Sequence, residues 1–303
     1  MRFVVTGGAG FIGNHIVKLL IEKKHDVTVI DNLHTGNKKN LQSVLDKIDF
    51  YEIDIREYEK ISKIIEKSDG IFHQAALTSV PESFEIPEEY YDVNVKGTKN
   101  IFNIAKEQNL KVVYASSSSV YGNSSKIPIN ENSPRNPINP YAKTKLDDEI
   151  LADTFSSIGT QIIGLRYFNV YGIGQTGNYA GVITKFMQNL SKSKPPRIFG
   201  DGSQIRDFIH VLDIANANLV VMNSSITSGF LNVGTGKTIS IKDLAKLMIN
   251  LYDLDISPEY HNSLPGDVRE SQAETSQIQN LTGWKYETKL ADGLKNIIKN
   301  QLI

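Results

Sequence analysis

Cysteine is missing from all 303 residues. Disulfides and thiol nucleophiles are therefore excluded, and the composition suits a reducing compartment. An excess of one charge is lacking too: 33 Lys and Arg stand against 34 Asp and Glu, a net charge of −1. There is no basic footprint for nucleic acid and no polybasic surface for an anionic bilayer, so neither is expected as a partner. No apolar run approaches the roughly 20 residues that a membrane-spanning helix requires. Residues Arg2 to Val5 already read as a core strand, so no signal peptide is expected and the expected location is cytoplasmic. Internal repeats and low-complexity tracts are missing as well, and no metal site is expected. The doublets Lys23-Lys24 and Lys38-Lys39 read as solvated surface.

The apolar fraction is an ordinary 40%, in a chain long enough to bury a sizeable core. Apolar runs alternate with helical patterns through the first half. Strands are predicted at 2–6, 26–30, 49–53, 70–73, 112–115 and 161–166, most with polarity only at their ends, as strands buried on both faces have. Helices are predicted at 11–23, 58–67, 87–108 and 141–156. Such alternation implies an α/β fold with a doubly wound parallel sheet. Beyond Asn169 the composition shifts towards Gly, Tyr, Asn and Lys, with Pro195-Pro196 as a break. The apolar stretch 211–222 has helical spacing and reads as a return to the first domain. We therefore expect residues 1–169 plus about 206–228 in one domain, and 170–205 plus 229–303 in a smaller α/β lobe.

The first strand runs into Thr6-Gly7-Gly8-Ala9-Gly10-Phe11-Ile12-Gly13 and then an amphipathic helix. Glycines at 7, 10 and 13 allow a tight turn, close backbone approach to a pyrophosphate, and close packing of helix on strand. Asp31 ends the second strand, where a carboxylate binds the adenosine ribose hydroxyls and repels a 2′-phosphate, so NAD is favoured over NADP. Asp54, just past the third strand, is a candidate for adenine or, equally, a helix N-cap for the segment from Arg56.

Tyr141-Ala142-Lys143-Thr144-Lys145 puts a phenol and an ammonium on one face of a helix. An ammonium nearby favours phenolate, so the tyrosine can accept a proton. Upstream, Ser116 to Ser119 follow a buried strand, at the edge where open α/β sheets bind ligands. One of the four hydroxyls is expected to bond a reacting alcohol, the others to form a polar turn.

With Gly7, Gly10, Gly13, Ser117, Tyr141 and Lys145, the chain resembles an extended short-chain dehydrogenase/reductase with a Rossmann-type sheet. Within that family it is similar to the UDP-sugar 4-epimerases. The similarity runs through Asp31-Asn32-Leu33, His73-Gln74-Ala75-Ala76, Asn94 to Thr98, Arg166-Tyr167-Phe168-Asn169, Arg206 to Val211 and Pro265-Gly266-Asp267-Val268-Arg269.

The resemblance implies NAD as cofactor, a UDP-sugar as substrate and a homodimer formed through the helices from Pro87 and Tyr141. It implies that Phe11 and Ile12 flank the pyrophosphate, that Asn32 to Gly36 join Asp31 at the ribose, and that Asp54 and Ile55 meet adenine. Gln74, Ala75, Ala76 and Thr78 would line the nicotinamide half, with Asn94 behind them, and Phe168 would also meet the cofactor. Ser117, Tyr141 and Lys145 would be catalytic. Asn169, Val182, Phe199, Arg206, Arg269 and Ser271 would contact the nucleotide sugar. The bland alternatives are local ion pairs, Arg206 with Asp207 and Arg269 with Asp267 or Glu270.

The implied reaction is epimerisation at C4 through a transient 4-keto sugar. Ser118 and Ser119 stand where the family's 4,6-dehydratases carry an acidic pair, which disfavours dehydration. Ser271 replaces a tyrosine found in epimerases restricted to unacetylated hexoses, so N-acetylated substrates are expected to fit. A UDP-glucuronate 4-epimerase or decarboxylase is the runner-up. A catalytically idle NAD- and UDP-sugar-binding sensor is the alternative of a different class.

Overall fold

Runs rich in Val, Ile and Phe form β1 (Arg2–Thr6), β2 (Asp26–Ile30), β3 (Ile48–Tyr51), β4 (Gly70–His73), β5 (Lys111–Ser117) and β6 (Ile162–Tyr167). The computed structural model describes residues 1–124, 126–175, 181–263 and 268–301. The six strands pair in parallel, and the strand Ser228–Val233 extends the sheet beyond β6. The order is 228–233, β6, β5, β4, β1, β2, β3. It reverses direction between β1 and β4, which opens a crevice at the carboxyl ends of those two strands.

Six helical segments follow from the same alternation. They are α1 (Phe11–Glu22), α2 (Tyr58–Ile65), α3 (Val80–Glu85), α4 (Pro87–Tyr90), α5 (Gly97–Gln108) and α6 (Pro140–Ser156). Along β1, Phe3 and Val5 join the core beneath α1 and the helix Val211–Met222. Val4, pointing the other way, joins the core beneath α2, α5 and α6. Both faces of the sheet are thus covered, as near-continuous apolar strands require. Each fully buried Ile, Leu or Phe in these cores contributes about 1.5–3 kcal/mol relative to exposure.

Three expectations need correction. Residues 229–233, assigned above to the second lobe, are the edge strand of the main sheet, and Leu231 and Val233 lie in its core. The helix Ser276–Thr282 and Trp284 also return to that core, through Ile278 and the indole. The long helix expected over 87–108 is interrupted: α4 passes into a π-helical segment, Tyr91–Lys96, before α5. Within this wider turn the side chain of Asn94 is drawn inwards to the backbone of Leu77 and to Thr144.

The second lobe has its own core, built from Phe186, Met187, Ile198, Leu244, Met248 and Leu294. Its helices are Val182–Leu190, Ile241–Leu251 and Leu290–Gln301. The strand Asn169–Tyr171, which leaves the main sheet, pairs with Phe208–His210. No described helix is long and apolar enough to cross a membrane.

Candidate active site

The crevice at β1 and β4 is a cavity of about 640 Å³. One end is walled by Gly7, Gly10 to Gly13, Asp31, Asn32, Asp54 and Ile55. The other is walled by Ser117, Tyr141, Lys145, Phe168, Asn169 and Val182, with Gln74 to Thr78 between them. Residues far apart in sequence are brought together because parallel strands deliver all their carboxyl ends to one edge.

The glycine turn is shaped by contacts that only glycine permits. Gly7 has φ +67°, and a Cβ there would stand 2.6 Å from the amide nitrogen of Ala75. A Cβ on Gly13 would meet the carbonyl oxygen of Gly7 at 2.1 Å. No side chain caps α1 at Gly10, so its first-turn amides are left for a ligand anion. This cradle fits a dinucleotide pyrophosphate.

Asp31 is buried, and its oxygens accept from the amides of Ala9 (2.9 Å) and Leu33 (2.8 Å). Burial raises its carboxyl above the ordinary value, while these two amides oppose that shift. Asp31 thereby ties the glycine turn to the end of β2. Gly36 is absent from the cavity wall and lies behind Asp31; a Cβ on it would meet Asp31 Oδ1 at 2.8 Å. Asp54 is not the N-cap of α2, which is Glu57, although its Oδ1 does accept the backbone amide of Arg56 at 2.9 Å. Its carboxylate also takes both Nε and Nη2 of Arg56, at 2.9 and 2.8 Å, together with Asn32. These bonds, led by that from Arg56, hold Asp54 down at about 2, so it is ionised at this end of the cavity.

At the opposite end, Asn139 caps α6 by accepting the amide of Ala142 at 2.8 Å, with Pro140 in the first turn. This cap fixes Tyr141 at the mouth of the helix. The Tyr141 ring packs on Leu77, Tyr90 and Val93. Its hydroxyl has no hydrogen-bond partner among the described residues, and the side chain lines the cavity. Lys145, one turn on, is buried and bonds Asp148 Oδ2 at 3.2 Å. Ser117 Oγ accepts the amide of Ser119 at 3.1 Å, which aims the hydroxyl and leaves its proton to donate. Ser116 turns the other way, to Glu149. The hydroxyls of Ser116 and Ser117 are therefore given different partners by the fold, and that of Ser119 is buried without one.

A buried network clamps α6 to the sheet. Arg166 on β6 grips Glu149 with Nε and Nη2, both at 2.8 Å, and Arg135 adds a third bond at 3.0 Å. Arg166 also donates to the hydroxyl of Tyr121, which donates to Asn232 on the edge strand.

Several predicted residues lie outside the described wall. Asn94 is fully buried and acts behind it, clasping Leu77. Phe199, Arg206, Arg269 and Ser271 sit on the second lobe. Ile205 N bonds Arg269 O at 3.1 Å and Ser271 N bonds Ile205 O at 3.2 Å, so the last three share one local chain pairing. Asp207 is not spent on Arg206 in the way the bland alternative supposed: its oxygens take the amides of Thr235, Gly236 and Ala273 and the Thr235 hydroxyl. Pro265, Gly266 and Asp267 of the motif lie outside the described residues.

The wall also contains residues the sequence reading overlooked. Lys39, expected near Asp31 as well as on the solvated surface, and Arg56 line the end with the glycine turn, and Tyr167 and Gln175 line the end with Tyr141. Tyr167 had a signal, in its motif with Phe168. The arginine had none beyond its neighbour Asp54.

Comparison with known proteins gives the same picture. The model of the NAD dependent epimerase/dehydratase family matches residues 3–234. A provisionally named UDP-glucose 4-epimerase of Methanocaldococcus jannaschii is 39% identical over 300 residues, covering 97% of this chain and 96% of that protein. Among solved structures, the UDP-N-acetylglucosamine 4-epimerase of Methanobrevibacter ruminantium, in complex with UDP-N-acetylmuramic acid, superposes with a TM-score of 0.95 at 36% identity. It covers 99% of this chain and 98% of its own. The UDP-glucose 4-epimerase of Thermotoga maritima, with UDP-glucose, also gives 0.95, at 32% identity and complete coverage of both chains.

Proposed function

Because this chain belongs to the NAD dependent epimerase/dehydratase family, we propose that it inverts C4 of a UDP-hexose through a transient 4-keto sugar, with Tyr141 as the proton-transfer group. The observation that carries this reading is the meeting, in one cavity, of the glycine cradle with Tyr141, Lys145 and Ser117. Bound NAD supplies the two-electron acceptor and donor that let C4 pass through the ketone. Gly7, Gly10, Phe11, Ile12 and Gly13 would hold its pyrophosphate and Asp31 its adenosine ribose.

Tyr141, unpartnered and facing the cavity, accepts the proton of the sugar 4-hydroxyl and later returns it. Ser117 donates a hydrogen bond to the same oxygen. Lys145 supplies the positive charge that favours the phenolate. Inversion requires the hexose to present its opposite face while the nucleotide stays anchored. We assign the anchoring to Asn169, Val182, Phe199, Arg206 and Arg269 on the second lobe, where forked guanidinium donors suit a diphosphate.

The cations of the described wall are Lys39, Arg56 and Lys145. Arg56 is bound to Asp54 and Lys145 to Asp148, and Lys39 is at the adenosine end. None of them is set to receive a sugar carboxylate, which favours a neutral hexose over glucuronate. The small, buried Ser271 favours tolerance of a 2-acetamido group.

A homodimer is part of the proposal. Phe84 on α3, Tyr91 after α4 and Ile150 on α6 are large apolar side chains about half exposed, on segments that pack together. Covering them with a second copy would remove that surface from water.

The test is a coupled assay of the purified protein on UDP-glucose, UDP-galactose, their N-acetylated forms and UDP-glucuronate. Interconversion of a neutral pair is expected. Tight UDP-sugar binding with no turnover on any of them would favour the sensor, and turnover of UDP-glucuronate alone would favour the runner-up.

A further inference from the structure

Behind the reacting end lies a carboxylate that the chemistry above leaves unused. Asp148 stands three residues beyond Lys145 on α6, and the two side chains are 0% and 4% exposed. Its Oδ2 accepts from Lys145 Nζ at 3.2 Å, and its Oδ1 has no hydrogen-bond partner. Lys145 reaches the cavity wall and Asp148 does not.

The surroundings make Lys145 its counter-ion. On α6 itself the neighbours are Asp147 and Glu149, and Glu149 is already held by Arg166 and Arg135. From β5 comes Tyr114, whose hydroxyl is buried without a partner. From β4 comes His73, held between Thr6 and Thr98 and sensing Lys145. The segment Tyr91–Lys96 presents the uncharged Asn94 to Thr144. From α3 and α4, Glu82 and Tyr90 bond each other at the Tyr141 end.

We infer that Asp148 is a positioning residue for the proposed epimerisation: it fixes the Lys145 ammonium and, by holding or releasing a proton, sets how much of that positive charge Tyr141 feels. The inference rests on the roles given above to Tyr141 and Lys145. Burial raises the Asp148 carboxyl to about 7 even though Lys145 opposes the shift, so both of its forms occur near neutrality. Protonated, it leaves the ammonium uncompensated and the phenolate favoured. Ionised, it neutralises the pair and weakens that field. Seven helical residues separate Asp148 from Tyr141, roughly 10 Å at about 1.5 Å per residue. A unit charge at that distance displaces a titration by about one pH unit.

Asp148→Asn keeps the shape and cannot ionise. In this variant the part of the kcat–pH acid limb near and above pH 7, where wild-type Asp148 ionises, is expected to move down by up to about one pH unit, with the KM for the UDP-hexose unchanged. Asp148→Glu is expected to restore the wild-type limb. Profiles of wild type and Asp148→Asn that superpose overturn the inference.

Infrared titration supplies a readout independent of sugar turnover. A protonated-carboxyl band is expected to titrate near neutrality in the wild type, to vanish in Asp148→Asn, and to shift its midpoint upwards in Lys145→Met. A midpoint unmoved in Lys145→Met, or no such band in the wild type, also overturns it. If the protein turns over no UDP-sugar, the function proposed above fails, while this titration still decides whether Asp148 and Lys145 are coupled.

Discussion

Tyr141 illustrates how little a single residue says alone and how much its setting adds. Its ring is held by an apolar cluster, its hydroxyl is free, and an ammonium stands one turn away. Tyr141→Phe keeps the ring packing and removes the proton acceptor. UDP-sugar affinity should therefore stay near wild type while kcat falls by about 10²–10⁴. Titration calorimetry and steady-state turnover measure the two; near-normal epimerisation would refute the role. Ser271→Tyr fills space beside the proposed sugar site, so it should remove turnover of N-acetylated substrates and spare UDP-glucose, and equal loss of both would show the space is used otherwise. The residue types of this site were legible because phenol, ammonium and glycine spacings carry their chemistry with them. The place of Asn94 behind the wall was legible too, but the partners of Asn94 and Arg56 were not. Asn94 works through backbone groups of Leu77, and Arg56 through a carboxylate two residues away, and neither relation leaves a periodic trace.

At the scale of elements, α6 carries the reacting groups on one face and the anchor Glu149 on another. Glu149→Gln leaves Arg166 and Arg135 facing a neutral partner in a buried setting. Breaking such a pair costs about 3–5 kcal/mol. Urea denaturation should register a loss of that order, and turnover should fall with it because α6 is no longer clamped to β6. A variant as stable as wild type would mean the network is not holding the helix. Of the six predicted strands of the first half, those at 2–6, 26–30 and 70–73 coincide with the observed ones, and those at 112–115 and 161–166 differ at the ends by one or two residues. The third, expected at 49–53, is observed one to two residues earlier. The helical run 87–108 differs from expectation because apolar spacing is nearly the same through α-helix and a single π segment, and the bonds of the buried Asn94 inside that segment are tertiary.

For the whole molecule, pH acts on stability through buried groups of opposite sign, of which His73 and Asp148 are an example. His73, between Thr6 and Thr98, is pushed by burial down to about 3, and so is neutral when folded. The unfolded chain binds a proton there below about 6.5, so its contribution is complete above that pH and is lost as pH falls towards 3. Asp148 behaves in reverse. Its raised carboxyl keeps a proton when folded, so its contribution is complete below about 4 and is lost as pH rises through about 7. Between about 4 and 6.5 the two slopes oppose each other. Asp148→Asn removes one of them, so its urea midpoint should climb with pH relative to the wild type over that interval. Parallel profiles would refute the sign. At the same scale, sedimentation velocity should find a dimer, and Ile150→Asp should shift it towards monomer.

The amino-acid sequence alone determined the alternation of strands and helices, the glycine cradle and the Tyr141–Lys145 pair. Each of these depends on spacing within one element, and local sterics and periodicity suffice to write it. Only the tertiary structure decided that Ser228–Val233 completes the sheet, that the hydroxyl of Ser116 is taken by Glu149 while that of Ser117 keeps its proton to donate, and that a carboxylate stands behind Lys145. Those facts depend on which distant segments share a buried volume, and burial and pairing are settled by the packing of the whole chain.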